Sequence, residues 1–584
     1  MSRSAWRFAL PAAAGYLLLY LAWTFPLVTR FGSAFPAEPG NDAFVYLWNV
    51  WHLREAVVSG HNPLSTDWVL YPWGASLLLH AYTPILGLLN LPLGNAALAI
   101  NLGLALSYAL SGTGAAQLSR RWVRSPLLNL LSGLVFAFSP YKLLRLAGHY
   151  NLVLTATVPF YVMAFLDAFE WTPGRFWPRV RSWRAVGWCF ALGFITLLSD
   201  YYVLFGLIYF SLGYALWFWL KLGQINWRGW RAWAGLAGLL GVSHVVIRLL
   251  RLAGLPDNAG FWWGGDVAGY LLPINSRWLE TAAARAVFHD PNVFRTPGSI
   301  ENVMFLGYAL PVLALLLALW PGRPVSARRL DAAGRPLAWL LLLFVLLTLP
   351  ELRVFGKRLL NLPTGALHFV PFFNNVRCPT RWVLFVSLLL PIVTFAALEA
   401  RWQLGRWPRA ALQGLSTGLL ALVLLEFWPR PVPLSGAATI PEADRVAATL
   451  PGRVLLPLPL GLQDGYSLKG IMEPENLYYQ SAHRKKLPLA YLSRVSPERF
   501  ARFDADPVLR TLLRLQKAPN DTVVAPPTAA QAAAFRRLYQ PDVVIVRPSL
   551  RDKAVLGYLR PVLPGYQERR FADGSVLLWD PAGK

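Results

Sequence analysis

The sequence predicts an α-helical polytopic membrane protein of about eleven transmembrane helices, followed by a C-terminal extracytoplasmic α/β domain. Three observations carry this expectation. Of 584 residues, 55% are hydrophobic and only 15% charged, where a soluble protein would carry about a quarter charged. Several apolar runs reach or approach the roughly 20 residues that span hydrocarbon. The 26 tryptophans suit a membrane–water interface, where one side of the ring is dry and the other wet. The net charge of +25 does not point to nucleic acid, because most Lys and Arg sit in short links between apolar runs, as cytoplasmic loops would. No basic domain with base-stacking aromatics is visible. Cys189 and Cys378 lie far apart without a CxxC partner, which argues against a metal knot or redox motif. Cys189 reads as a small core residue.

Taken in order, the opening MSRSAWRFALPAAAGYLLLYLAWTFPLVTR has a basic start, but its apolar run is too long for a signal h-region. It is expected to be a retained first helix that starts in the cytoplasm. Crossings are expected near 8–30, 95–118, 126–140, 152–169, 186–200, 202–220, 232–250, 303–320, 337–350, 382–398 and 410–428. The apolar piece 75–94 is long enough to cross, yet Pro84, Gly87 and Pro92 interrupt it. If it does not cross, the basic links 119–124, 174–184, 221–231, 322–335 and 400–409 all fall inside, while the outer segment 31–94 carries a single basic residue, Arg54. Residues 75–94 are therefore expected to be re-entrant or interfacial. Arg248, Arg251, Lys357, Arg358, Arg377 and Arg381 fall at outer ends, where they could snorkel or hold a lipid phosphate.

After residue 428 charge, proline and turn residues increase. Strands are expected at 453–460 and 542–550, helices at 504–518 and 528–540, and a hairpin at 566–580 around Ala572-Asp573-Gly574. The expected domains are a multi-spanning one over 1–428, with its first outer loop at 31–94, and an extracytoplasmic α/β domain over 429–584.

Ionisable residues at a membrane edge are functional candidates. On the outer face they are Asp42, His52, Glu55, His61, Asp67, His80, Lys142, Arg145, His149, Asp200, Asp266 and Glu301. Asp42 leads. It precedes a segment with Phe44, Leu47, Trp48 and Trp51 at helical spacing. It could equally cap that helix. Trp48 and Trp51 read as interface anchors ahead of sugar-stacking rings. Lys142, Arg145 and His149 are spaced i, i+3, i+7, so on one helix they would share a face and suit a phosphate. Anchoring to lipid headgroups is the plainer alternative. Asp200 reads as a functional acid or as part of a solvated turn. Asp42 with Asp266 or Glu301 could hold a divalent cation, although their spacing does not require one. No P-loop, G-x-S-x-G, H-E-x-x-H or Rossmann fingerprint occurs, which argues against nucleotide-dependent, serine or zinc hydrolase chemistry.

The stretch YLWNVWHLREAVVSGHNPLSTDWVLYPWGASLLLHAYTP, with an Asp just before it, resembles bacterial membrane glycosyltransferases of the GT-C superfamily. So do FSPYKLLRLAGHYNLVL, LLSDYYVLF, GGDVAGYLLPINSRW, ENVMFLGYALPVL, NNVRCPTRWVLF and LYYQSAHRKKLPLAYLSR, which together cover most of the chain. Asn41-Asp42 stands where such proteins often show Gly-Asp. The resemblance implies a polyprenyl-phosphate-linked sugar donor at the outer leaflet of the cell membrane. It also implies a catalytic acidic residue in the first outer loop, at Asp42. A hexosyl or pentosyl group would pass with inversion to a glycan, lipid or protein of the cell envelope. Asp42 would be the general base. Lys142, Arg145, His149, Arg377 and Arg381 would bind the donor phosphate, and Asp200, Asp266 and Glu301 the acceptor or a metal. A flippase for lipid-linked glycans would also need a cationic cavity, but the repeated halves common in transporters are absent. A non-catalytic envelope scaffold would not need Asp42.

Overall fold

The computed structural model describes residues 3–226, 229–320, 334–405, 408–520, 522–550 and 552–581. Most of the basic link 322–335, and parts of those at 221–231 and 400–409, lie outside the described residues. The chain divides into two compact units. One comprises residues 1–28, 104–146 and 152–432; the other comprises 29–103, 147–151 and 433–584. The first outer loop, expected as part of the membrane domain, therefore belongs to the same unit as the C-terminal residues.

The first unit is helical. Six helices among the described residues are long and apolar enough to cross a membrane: Ala96–Ser119, Pro126–Arg145, Tyr201–Trp219, Trp230–Leu252, Pro379–Gln403 and Arg409–Phe427. Other expected crossings fall on apolar helices of 10–17 residues, among them Thr157–Ala168, Trp183–Leu197, Ala309–Leu319 and Pro336–Thr348. Proline explains one interruption. Ser139 is extended before Pro140 and separates Pro126–Ala137 from the short Pro140–Arg145 helix, because the residue before proline is disfavoured in helical conformation. Helix Val383–Leu404 is central. It packs against Pro126–Ala137, Ala309–Leu319 and Pro336–Thr348, and the Phe344 and Phe385 rings stack at 4.5 Å. Small residues allow close contact between helices, as in lipid-embedded bundles. A Cβ on Gly206 would lie 2.0 Å from the Phe385 ring. Trp230–Leu252 is the opposite case, only 11% buried along its apolar window, as a lipid-facing helix would be.

The second unit is built around a four-stranded sheet in the order Gln567–Arg570, Val576–Trp579, Val543–Val546, Leu455–Leu458. The last pair is parallel and the others antiparallel. Val543–Val546, a central strand, and Leu455–Leu458, at the end of the sheet, are both fully buried runs, as strands covered on both faces should be. Helices Pro507–Leu515, Ala529–Tyr539 and Val555–Val562 supply further core side chains. The two expected strands, two helices and hairpin thus all form, with shorter bounds.

The loop after the first helix joins this unit through backbone and core. Strand Ala34–Pro36 pairs antiparallel with Leu434–Gly436. Helix Ala43–Val58 buries twelve residues and packs on Glu475–His483 and Pro84–Leu93. Here Trp48 and Trp51 depart from the expected interface role. Trp48 is 1% exposed, and its indole donates to Gln480 at 2.6 Å. Trp51 is buried in a T-shaped contact with Trp68. Both are core residues, because an amphipathic ring with a satisfied N–H suits an interior as well as a headgroup layer. Segment 75–94 forms a short strand, Ala75–Ser76, and the ten-residue helix Pro84–Leu93. At 1.5 Å per residue that helix is about 15 Å long, half the thickness of hydrocarbon.

Candidate active site

Asp42 occupies the N-cap position of helix Ala43–Val58, with φ −66° and ψ −12°, but its side chain makes no capping bond. Asn41 does that work, accepting the Ala43 N–H on Oδ1 at 3.0 Å. The Asp42 carboxylate is left for other partners. Tyr491 donates its hydroxyl to Oδ1 at 2.6 Å, and His149 Nε2 lies 3.3 Å from Oδ2. A third of the side chain stays exposed.

Both partners are held by the second unit. Tyr491 sits on the short strand Ala490–Tyr491, which pairs with Gly461–Gln463. His149 lies in the five-residue piece 147–151, fastened at three points. Asn41 Nδ2 donates to the Ala147 carbonyl, Tyr46 to Asn151 Oδ1 at 2.6 Å, and Tyr150 to the Pro36 carbonyl. A Cβ on Gly148 would lie 3.2 Å from the Asn41 amide nitrogen, so a small residue there lets the two segments meet. The result is a carboxylate oriented on both oxygens and still open to a ligand.

The other expected site residues fall elsewhere. The i, i+3, i+7 face of Lys142, Arg145 and His149 does not exist, because the helix ends at Arg145. Lys142 is fully buried and donates to Ser111 and Thr155, each at 2.9 Å. Arg145, also fully buried, lies over the Tyr141 ring and donates to Glu301 Oε2 at 2.9 Å. Arg381 reaches Glu301 Oε1 at 2.6 Å and lies over the Tyr202 ring. The Tyr202 hydroxyl accepts the backbone N–H groups of Arg377 and Cys378. Glu301 is therefore a buried anion clamped by two guanidinium groups.

Asp200 is not in a solvated turn. It is buried and caps helix Tyr201–Trp219 through the Val203 N–H at 2.8 Å. Asp266 is buried and accepts three backbone N–H groups, from Ala268, Phe355 and Gly356, at 2.8–2.9 Å. Its lone pairs are thus committed to the Glu351–Val354/Lys357–Asn361 hairpin region. Among the described residues no group of three or more His, Cys, Asp or Glu could hold a metal ion.

Of the remaining outer-loop residues, His52 and His80 are buried and neutral. Burial lowers His52 to about 4 and His80 to about 3. His80 Nδ1 accepts the Ser493 N–H at 3.0 Å, which makes Nε2 the donor to Asn49 Oδ1 at 3.0 Å. His52 Nδ1 pairs with the Tyr82 hydroxyl at 2.8 Å. Glu55 pairs with Arg484, and Asp67 with Lys486. Sequence reasoning missed Tyr491, and Asn41 as the capping residue. It also missed Glu351, a buried carboxylate that gathers Arg251, Arg295 and Arg358 in the first unit. The stretch LPLAYLSR contained Tyr491, but nothing in its composition singles out that hydroxyl.

No curated protein matches the chain. Solved structures of the oligosaccharyltransferase of Archaeoglobus fulgidus are similar to it at 12% identity. The complex with Zn and sulfate overlaps 98% of this chain and 73% of that one at a TM-score of 0.44. The complex of that enzyme, AglB, with an inhibitory peptide and a dolichol-phosphate overlaps 99% and 75% at 0.39. A family model covers most of the membrane-helix region and stops short of the C-terminal residues. The chain belongs to the family described as Domain of unknown function (DUF6311), whose model matches residues 12–425.

Proposed function

We propose that the protein is a membrane glycosyltransferase that moves a sugar from a polyprenyl-phosphate donor to an acceptor on the extracytoplasmic side. The observation that carries this reading is the Asp42 carboxylate, free of capping, oriented by Tyr491 and His149, and one-third exposed. The sequence resemblance to GT-C glycosyltransferases supports the same position.

Asp42 takes the proton from an acceptor hydroxyl as that oxygen attacks the anomeric carbon. The bond from the anomeric carbon to phosphate oxygen breaks, polyprenyl phosphate leaves, and the anomeric configuration inverts. Tyr491 and His149 hold the carboxylate in one orientation, which lowers the cost of reaching reactive geometry. His149 thereby moves from the phosphate-binding role first assigned to it to a positioning role. Arg377 and Arg381, which are less buried than Lys142 and Arg145, remain the first unit's candidates to meet charge on a departing phosphate. Preformed cations of this kind are among the largest sources of rate enhancement. Asp200 and Asp266 serve structure in this reading, and Glu301 sets the Arg381 guanidinium.

The test is transfer of labelled sugar from polyprenyl-phosphate donors by membranes containing the protein. Asp42→Asn should abolish transfer without changing folding or membrane insertion. A fully active Asp42→Asn variant would remove Asp42 as the base. A variant that lost lipid translocation but catalysed no transfer when wild type would favour the flippase reading.

A further inference from the structure

A cleft of about 770 Å³ opens in the second unit, within the ~300–1,000 Å³ range of ligand sites. It is lined from both ends of that unit's sequence: the tail of helix Ala43–Val58, the loop after it, and residues 486–499. Asp42 does not line it. His52, which does, lies ten residues along the same helix, about 15 Å away. The cleft is thus a separate site from the proposed reaction centre.

We propose that this cleft binds an acidic glycan, a sugar chain bearing carboxylate groups. Its wall has the three chemistries such a chain needs. Trp68 and Trp73 are half-buried rings, each fixed by a T-shaped contact with a buried aromatic, Trp51 and Tyr539 respectively. Rigid aromatic faces suit the C–H faces of pyranose rings and lose little entropy on binding. Asp67 and Lys486 form an ion pair within the lining, which places an acceptor beside a donor as vicinal hydroxyls require. Arg494 lies over the Tyr466 ring at 4.7 Å, and the Arg499 guanidinium has no hydrogen bond or ion pair among the described residues. A fork of donors without an anion is suited to a carboxylate.

The proposal rests on the glycosyltransferase reading only in making the bound chain the acceptor; binding itself can be measured without transfer. The protein in lipid nanodiscs would be titrated by calorimetry with α-1,4-linked tetragalacturonate and with the neutral maltotetraose. Tetragalacturonate should bind at least tenfold more tightly. Arg499→Gln should remove that preference, and Trp68→Phe should keep binding that Trp68→Ala weakens tenfold or more. Asp42→Asn should bind as wild type does, so loss of transfer with binding intact would separate failure of the catalytic reading from failure of this one. Absence of tetragalacturonate binding, equal affinity for the two sugars, or insensitivity to Arg499→Gln would each overturn the proposal. Equal competition by tetraglutamate would make the cleft a site for acidic peptides and overturn the glycan assignment.

Discussion

At the scale of single residues, the site turns on which groups Asp42 touches. Its Oδ1 accepts from Tyr491 at 2.6 Å, and a hydrogen bond to a charged group contributes about 1.5–3 kcal/mol. Tyr491→Phe should therefore lower turnover by roughly 10- to 100-fold while the melting temperature changes little, since the phenol ring remains. Single-turnover transfer kinetics would show it, and unchanged kinetics would take Tyr491 out of the mechanism. Asp42 was legible in the sequence because an acid that closely follows an apolar run is conspicuous. Tyr491 was not, because it lies 449 residues further along the chain in a stretch of ordinary strand composition. His149 was found but given the wrong partner: spacing alone placed it with Lys142 and Arg145, and the break after Arg145 puts it on Asp42 instead.

At the scale of elements, the apolar runs announced the helices of the first unit, because hydrocarbon-length runs have few other uses. What they concealed is how buried carboxylates close those helices. Glu426, on helix Arg409–Phe427, accepts the N–H groups of Tyr308 and Ala309 at 3.0 and 2.9 Å, where helix Ala309–Leu319 begins. Gly307 makes room for it. Its φ is +80°, and a Cβ would lie 2.2 Å from Glu426 Oε2. Glu399 similarly binds the N–H groups of Arg124 and Ser125 ahead of helix Pro126–Ala137. A carboxylate so placed satisfies orphan amides and meets the positive end of the helix dipole. Glu426→Ala strips two partly buried amides of their acceptor and should cost about 1–3 kcal/mol, whereas Glu426→Gln, which keeps an acceptor oxygen, should cost less. Thermal unfolding of the two variants in nanodiscs distinguishes them; equal losses would mean that packing rather than capping fixes this helix. Neither acid is legible from the sequence, because a cap supplied by another helix leaves no local signature.

At the scale of the whole molecule, the sides of the membrane decide whether the chemistry can occur. Lys and Arg concentrate in links such as 174–184, which the positive-inside rule places in the cytoplasm. The odd number of crossings expected from the sequence would set residues 433–584 outside. The second unit holds both Asp42 and the cleft lined by His52, Trp68 and Arg499, so the side on which it lies tests both proposals at once. Cysteine labelling tests this directly, because Cys189 and Cys378 are both buried and give a low background. Val523 is 93% exposed in the second unit, and Arg179 is exposed in a basic link. In right-side-out vesicles a membrane-impermeant maleimide should label Val523→Cys at once and Arg179→Cys only after permeabilisation. The opposite pattern would put the Asp42 carboxylate in the cytosol, facing away from the leaflet where the proposed donor is presented, and the transferase reading would fall with it.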